Sequence, residues 1–455
     1  MISCVGIMSE ELIINEIENN KDEYVEFLRE LIQADSYNPP GNEKNVALII
    51  EKYLKNENID CEIFSFGENR ANLIAYLNDD FSKKNLLYNG HMDVVPSGSI
   101  NEWKYPPLSA FIKRKKIFGR GTADMKGGLA GMVIALKILR KLDINLSGDL
   151  ILNAVADEET GGKFGTKWCL DNKLKPIKCD FAIVGETSNY KPLSHAIILG
   201  EKGRVQLKII AKGVSGHASV PFLGKNAIYM MSDFIQSLDK LDDLIPKIRP
   251  PISLQKLKTL ISASFPNQES FERVYNEQPL LSNVSKALTQ FTKILTMIKA
   301  GIKENVIPDH CEAIMDFRLL PGQTKEMILD ALKKLINEIG YEVKDEPKGL
   351  SDEPYFNLEV EGASEPSYWN DWENSKDLKN FYDIVEKCYN KKPFYFLLPA
   401  SADASILRNT NYCRNSIIFG PGVGTTAHSI DEYIEIEDFI NAIKVYTLFA
   451  YNFLK

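Results

Sequence analysis

Five short segments place histidine and carboxylate side chains in loops that are rich in glycine or follow apolar runs. Their central residues are His91, Asp124, Glu159, Glu186 and His428. Imidazole and carboxylate ligands without cysteine suit zinc, and they would also accept cobalt or manganese. Two cations held close together need a shared ligand and a nearby base that takes a proton from water. The set therefore predicts a two-metal site that activates water for hydrolysis.

The first segment joins a histidine to an aspartate two residues further on. His91 and Asp93 follow an apolar run that reads as a buried strand, and ligands gather beyond the carboxyl ends of such strands. We expect His91 to bind metal and Asp93 to bond the other ring nitrogen, which fixes the tautomer. Taken alone, the pair is as compatible with a His–Asp turn at the surface.

The second segment surrounds Asp124 with glycines at positions 119, 121, 127 and 128, which allow close backbone approach. Asp124 precedes a predicted helix, so its carboxylate suits either a bridge between two cations or an ordinary helix N-cap. The spacing of a phosphate-binding loop is absent, which argues against a nucleotide-binding protein.

The third segment contains three successive carboxylates, Asp157, Glu158 and Glu159, directly after an apolar strand. Such charges repel one another unless cations neutralise them or water solvates them. We assign Glu159 to the metal and Glu158 to proton transfer; the alternative is a solvated acidic loop. Glu186 and His428 are weak signals alone, and the combination of all five carries the prediction.

Strands and helices alternate over the first 200 residues, which predicts a mostly parallel sheet flanked by helices. Apolar runs predict strands at 71–77, 85–88, 149–156 and 181–184, and helical spacing predicts helices at 22–33, 45–56 and 127–142. The chain returns to this pattern near its end, with a helix at 377–388, a strand at 416–419 and a helix at 436–451.

The middle of the chain reads as a separate α+β module with a split βαβ, ferredoxin-like order. Strands are predicted at 203–212, 294–299, 313–319 and from 341, with helices at 226–241 and 324–339. Residues 201–360 are therefore predicted to form a domain inserted into a catalytic domain of residues 1–200 and 361–455. Segments 242–292 and 351–373 resist assignment.

Composition narrows the class of protein. The chain has 455 residues, a net charge of −8 and seven scattered cysteines. An acidic chain argues against nucleic-acid and anionic-membrane partners, and an odd, unclustered set of cysteines favours a reducing cytoplasm. No apolar run approaches the roughly 18 residues of a membrane span. The short apolar start does not read as a signal peptide, and Met8 is an alternative start to Met1.

The motifs G-H-M-D-V-V-P, G-R-G-T-A-D-M-K-G-G, D-E-E-T-G-G, G-E-T and A-H-S-I-D-E occur in this order along nearly the whole chain. As a set they resemble the co-catalytic zinc family of acetylornithine deacetylase, succinyl-diaminopimelate desuccinylase, aminoacylase and glutamate carboxypeptidase. The resemblance implies that His91, Asp124 and Glu186 bind one metal. It implies that Asp124, Glu159 and His428 bind the other, with Glu158 as general base and acid.

The same resemblance extends to the inserted domain, which is similar to the family's lid and dimerisation domain. The motif G-H-A-S-V-P implies that His217 polarises the substrate carbonyl, often across a homodimer. Asn305 and Arg318 match substrate-binding positions, although Arg318 is equally suited to an ion pair with Asp316 or Glu312. His195 and His310 match no motif, and we expect structural roles for them.

The implied activity is metal-dependent hydrolysis of the amide bond of a small N-acyl-amino acid. Glutamate at position 186, where aminopeptidase and dipeptidase relatives carry aspartate, favours an N-acyl-amino-acid deacylase or a carboxypeptidase. We rank a deacetylase or desuccinylase first, with a carboxypeptidase or dipeptidase as the alternative. A catalytically silent metal-binding scaffold is the alternative of another class. Inactive relatives usually lose a ligand or the base, and all of these positions are present.

Overall fold

The computed structural model describes residues 2–191, 193–344 and 353–455. Met1, one of the two alternative starts, and the first residues of the unassigned segment 351–373 lie outside the described residues. The helices are α1 (Ile2–Asn19), α2 (Lys21–Gln33), α3 (Glu43–Lys55), α4 (Lys126–Lys141), α5 (Thr166–Cys169), α6 (Ala227–Ser237), α7 (Leu241–Leu244), α8 (Leu254–Ser262), α9 (Gln268–Glu277), α10 (Pro279–Thr289), α11 (Lys325–Glu338), α12 (Lys376–Tyr389), α13 (Asp403–Asn409) and α14 (Ile436–Leu454).

The strands are β1 (Asp60–Ser65), β2 (Ala71–Leu77), β3 (Asn85–His91), β4 (Phe111–Lys113), β5 (Lys116–Phe118), β6 (Asp149–Val155), β7 (Phe181–Val184), β8 (Ala196–Glu201), β9 (Gly203–Lys212), β10 (Gly216–His217), β11 (Thr292–Ala300), β12 (Val306–Ile307), β13 (His310–Leu319), β14 (Glu342–Val343), β15 (Tyr355–Ser364), β16 (Ser367–Tyr368), β17 (Phe394–Leu398), β18 (Ser416–Ile418) and β19 (Tyr433–Glu435).

A nine-stranded sheet forms the centre of the larger body, in the order β1-β2-β6-β3-β7-β18-β8-β16 with β17 paired to β8. Strands β6, β3, β7 and β18 run parallel to one another, whereas β1 and β2 are antiparallel. All residues of β3, β6 and β7 are buried, as their uninterrupted apolar sequences require in a sheet covered on both faces. The predicted α/β fold is confirmed.

Helices cover both faces of this sheet, and alternate strand residues point into two cores. Tyr88 and Leu152 face one core, which contains α4 and α14; Leu87 and Ile151 face the other, which contains α13. The Tyr88 hydroxyl donates to the backbone carbonyl of Tyr446 in α14 at 2.6 Å. The last helix therefore closes the core behind the strand that ends at His91.

A second sheet, in the order β11-β13-β9-β15-β14, forms the smaller body, called the lid below. Helices α6 and α11 pack on one face of it. Its four long strands have the predicted ferredoxin-like arrangement, with one correction. The fourth strand of the pattern is β15, antiparallel to β9; the segment predicted from 341 is only the short edge strand β14, parallel to β15.

The segment 242–292, which the sequence pattern left unassigned, is helical and contains α8, α9 and α10. Leu257, Ile261 and Phe271 from this segment share a core with Phe394 of β17 in the large sheet. Leu241, directly before the segment, and Ile245, near its start, belong instead to the core of the lid. The division at residues 201 and 360 stays a prediction, and β15 continues past it to Ser364.

None of the helices in the described ranges combines the length and apolar character that a transmembrane span requires.

Candidate metal centre

The carboxyl ends of three neighbouring parallel strands bring together residues that are far apart in the sequence. His91 is the last residue of β3, Glu159 follows β6 by a short turn, and Glu186 comes two residues after β7. Asp124 lies just before α4, and His428 lies in the loop before β19. All five residues therefore meet at one edge of the large sheet, where open α/β sheets bind ligands.

Asp124 lies between two sets of side chains and contacts both. One carboxylate oxygen is 3.0 Å from His91 Nε2, and the other is 3.0 Å from His428 Nε2. His91 Nε2 is also 3.2 Å from Glu186 Oε1, and His428 Nε2 is 3.2 Å from Glu159 Oε2. Each imidazole thus contacts one oxygen of Asp124, which both imidazoles share, and one further carboxylate: Glu186 for His91 and Glu159 for His428.

The donor set and its spacing fit divalent cations. Metal–ligand bonds of about 2.0–2.1 Å in tetrahedral geometry put neighbouring ligand atoms about 3.3 Å apart, close to the separations found here. Two groups of three ligand atoms lie close together. The ligand atoms of His91, Asp124 and Glu159 are within 4.8 Å of one another, and so are those of His91, Glu158 and Glu186. Glu159 Oε1 is buried and has no hydrogen-bond partner among the described residues, as expected for an oxygen whose partner is a bound cation.

His91 is held in the orientation that leaves Nε2 for a metal, but not in the predicted way. Its Nδ1 donates to the backbone carbonyl of Asp93 at 2.8 Å, while the Asp93 carboxylate is 3.6 Å away. A carbonyl only accepts, so Nδ1 carries the hydrogen. The Asp93 carboxylate instead accepts from the backbone amides of Glu158 and Glu159 at 3.3 and 3.2 Å, and from Asn38 Nδ2 at 2.9 Å. Asp93 therefore also positions the turn that carries Glu158 and Glu159.

The charges of this cluster shift one another strongly. Burial and the Asp124 carboxylate raise the pKa of Glu186 to about 8. Hydrogen bonds to Asp124 and Glu159 raise the pKa of His428 to about 10. Burial opposes ionisation of Asp124, but hydrogen bonds from His428 and His91 hold its pKa below the ordinary value. The three carboxylates and two imidazoles of the cluster compete for protons, and two divalent cations would replace those protons.

Glu158 is the carboxylate that the sequence assigned to proton transfer, and its oxygen lies within 4.8 Å of ligand atoms of His91 and Glu186. Burial, reinforced by the charges of Glu186 and Asp403, holds the pKa of Glu158 well above its ordinary value. A carboxyl group with a raised pKa can take up a proton near neutral pH and release it again. Asp403, which the sequence pattern did not single out, is itself buried and accepts from Asn89 and Thr166.

The predicted lid residues lie outside the cluster. His217 is exposed in β10, where its Nδ1 contacts the Ser219 hydroxyl, and the backbone carbonyl of Asn305 accepts from the amide of Ala218. Arg318 makes the alternative ion pair, because its Nε donates to Asp316 at 2.7 Å; its Nη1 reaches the carbonyl of Pro399 at 3.5 Å.

The two remaining histidines have partners away from the cluster. His195 is buried and bonds Asp438 at 2.8 Å, and His310 lies 3.6 Å from Glu312. Sequence reasoning also left Arg120 and Glu432 without a role, although both stand inside the quoted motifs. They form a buried pair beside the cluster, which only their distance in space reveals.

A mixed α/β fold with this edge of carboxylates and imidazoles defines a metal-dependent hydrolase. Residues 87–452 match the model of peptidase family M20/M25/M40. The chain belongs to that family, as its motifs predicted, and it hydrolyses amide bonds with the help of metal.

Curated relatives and solved structures agree with this assignment over nearly the full chain. A probable succinyl-diaminopimelate desuccinylase of Staphylococcus epidermidis is 26% identical over 430 residues, covering 94% of this chain and 96% of that protein. Its Staphylococcus aureus counterpart is 27% identical over 441 residues, covering 96% and 98%.

Two solved structures are similar in fold. A family M20 metallo-carboxypeptidase of Sulfolobus solfataricus has a TM-score of 0.75 at 22% identity, covering 95% of this chain and 99% of that one. Human carnosine dipeptidase 1 has a TM-score of 0.72 at 15% identity, covering 98% of each chain.

Proposed function

We propose that this chain hydrolyses the amide bond of a small N-acyl-amino acid at a centre of two zinc ions, with cobalt or manganese as possible replacements. The observation that carries the proposal is the shared Asp124, whose two oxygens each lie 3.0 Å from a different imidazole. His91, Asp124 and Glu186 would hold one ion. Asp124, Glu159 and His428 would hold the other. When bound, the ions lower the pKa of a water molecule and polarise the scissile carbonyl.

Glu158 acts as the base and then as the acid. Its carboxylate takes a proton from the attacking water and later gives it to the nitrogen of the leaving amine. Burial raises the pKa of Glu158 in the metal-free protein, and cations bound beside it would favour the carboxylate form that accepts the proton from water. Asp93 holds the Glu158 backbone amide at 3.3 Å and so keeps the base at the edge of the cluster.

The lid supplies the contacts to the rest of the substrate. His217 donates to the carbonyl oxygen as negative charge develops there, and Asn305, next to the His217 loop, assists. Arg318 binds the substrate carboxylate through its guanidinium, of which only Nε is used by Asp316. Because His217 is exposed and bonded only locally among the described contacts, we propose that it serves the partner's cluster in a homodimer.

The lid also offers a surface for that dimer. Strand β11 is an edge of the lid sheet, and Ile294, Met297 and Ile298 on it are at least half exposed. An edge strand with exposed apolar side chains pairs readily with another copy. The six cysteines whose side chains the structure describes are unpaired, which agrees with a cytoplasmic location.

The acyl-amino-acid class rests on the similarity to desuccinylases, and Glu186 is compatible with a deacylase or a carboxypeptidase. A carboxypeptidase or dipeptidase activity is the second candidate, because the similar solved structures include a metallo-carboxypeptidase and a dipeptidase. The substrates of both activities have a free carboxylate that Arg318 can bind. They differ on the other side of the scissile amide bond, which carries an acyl chain in an N-acyl-amino acid and an amino-acid residue in a peptide.

The test combines metal analysis with a substrate panel on one preparation. We expect two ions per chain and chelator-sensitive release of amino acids from N-succinyl or N-acetyl substrates in preference to dipeptides. Glu158→Gln should keep both ions and lose about 10²–10⁴ in kcat. Its neighbour Glu159→Gln is the matched variant, and it should lose an ion as well as turnover. Two bound ions without turnover on any substrate would support a silent scaffold, and preference for dipeptides would favour the peptidase alternative.

A further inference from the structure

A buried ion pair joins the two loops that carry Asp124 and His428. Arg120 Nη1 donates to Glu432 Oε2 at 2.6 Å, and both side chains are at least 97% buried. Arg120 stands four residues before Asp124, and Glu432 stands four residues after His428. The backbone amide of Gly119 also donates to the Glu432 carbonyl at 2.9 Å. The pair therefore connects the two segments directly behind the cluster.

Each partner of the pair holds the backbone of the other partner's segment. Glu432 Oε1 accepts from the backbone amides of Ala123 and Asp124 at 2.8 and 3.2 Å. Arg120 donates to the backbone carbonyls of His428 and Ser429 at 3.3 and 3.2 Å. Removing either side chain would leave buried polar groups of both loops without partners, which is costly.

The two halves of the cluster depend on this pair to different degrees. His91 is the last residue of β3 and is paired with Val155 of β6, and Glu186 stands two residues after Val184, where the pairing of β7 with β3 ends. His428 has no such support and adopts a left-handed backbone conformation with φ of 60°. A residue other than glycine keeps that conformation only where its surroundings impose it. The contact from Arg120 to the His428 carbonyl acts at that residue.

We propose that Arg120 and Glu432 are positioning residues that fix the distance between the two halves of the metal centre and hold the His428 half in place. The inference rests on the proposed two-metal function. It requires a guanidinium at position 120, because a single ammonium group cannot bond a carboxylate and two carbonyls in the same plane.

The test is a titration of metal-free protein with Co²⁺. Binding is monitored by calorimetry and by the visible absorption of the bound cobalt. The wild-type chain should bind two ions in separable steps, and His428→Ala identifies the step that belongs to His428. In Arg120→Lys that step should weaken by about 10–100-fold, the usual effect of losing a partner behind a ligand, while the other step changes less than threefold. Arg408→Lys is the matched control, because Arg408 is also buried and bonds backbone carbonyl and hydroxyl groups away from the cluster.

The outcomes separate the inference from the function on which it rests. Two unchanged steps in Arg120→Lys, or equal weakening of both steps in Arg120→Lys and Arg408→Lys, would overturn the positioning role. A wild-type chain that binds fewer than two ions would overturn the proposed function and the inference together. Glu432→Gln, which keeps one acceptor oxygen for the Ala123 and Asp124 amides, provides a second variant if Arg120→Lys does not fold. It should weaken the same step.

Discussion

Replacing Gly128 with alanine tests how closely α4 must approach the large sheet for the metal centre to form. Gly128 lies in the first turn of α4, four residues after Asp124, and faces the backbone of Gly185, which precedes Glu186. A Cβ at position 128 would lie 1.9 Å from the Gly185 carbonyl oxygen. The first turn of α4 and the chain just after β7 are therefore in direct backbone contact. This contact lies close in sequence to two proposed metal ligands, Asp124 and Glu186.

The size of the effect follows from that contact. An ordinary contact begins near 3.4 Å, so the helix start and the strand end must separate by about 1.5 Å. Overpacking of this kind costs about 1–3 kcal/mol. The displacement also exceeds the tolerance of about 0.2 Å for metal–ligand distances, so the Asp124–Glu186 half should lose affinity for metal.

The assay compares Gly128→Ala with Gly131→Ala by urea unfolding and by metal titration. Gly131 lies one turn further along α4, and a Cβ there would meet side chains rather than backbone, the Tyr446 ring at 3.1 Å and Ile443 Cγ1 at 3.7 Å. The better helix propensity of alanine, worth up to about 1 kcal/mol, should offset that contact. We expect Gly128→Ala to lose stability and metal affinity and Gly131→Ala to keep both. Equal behaviour of the two variants would refute the argument from close approach.

Three further predictions concern protons, substrate and assembly. The raised pKa values of Glu186 and His428 keep both groups protonated at pH 7 in the metal-free protein. Metal binding should therefore release protons and become stronger as pH rises. Calorimetric binding enthalpies that do not change with the ionisation enthalpy of the buffer would contradict this prediction. Arg318→Met should raise KM for carboxylate-bearing substrates by about 10–100-fold, as expected for a lost charged hydrogen bond, and metal content should stay the same. An unchanged KM would mean that Arg318 forms its ion pair with Asp316 and does not bind the substrate. Ile298→Lys on β11 should convert a dimer to a monomer in light scattering, whereas Ile100→Lys, an exposed isoleucine outside the lid, should not.

Local sequence signals were sufficient for the strands and loops that carry the cluster. Buried parallel strands need uninterrupted apolar runs, and loops at their carboxyl ends must carry the polar groups, so β3, β6 and β7 could be read with the residues that follow them. The ferredoxin-like order of the lid was readable for the same reason. Its last strand was not, because β15 contains Glu359, Glu361 and Gly362 and has an irregular register between Val360 and Gly362.

Features that depend on distant partners could not be predicted in this way. Helices α8 to α10 bury residues such as Leu257 against β17, which lies more than 130 residues further along the chain. The Arg120–Glu432 pair depends on two loops that meet only in the folded chain. For His91, the sequence identified the right neighbour but not which of its oxygens is nearer, because the turn brings the Asp93 carbonyl to 2.8 Å of Nδ1 and the carboxylate to 3.6 Å.

The order of the proposed ligands along the chain also sets the order in which the centre can be completed during synthesis. His91, Asp124, Glu159 and Glu186 leave the ribosome early, whereas His428 follows more than half a chain length later, just ahead of α14. A growing chain therefore carries every proposed ligand of one half, and only carboxylates of the other, until His428 has been made. One half of the proposed centre can thus be complete before the other, which needs His428.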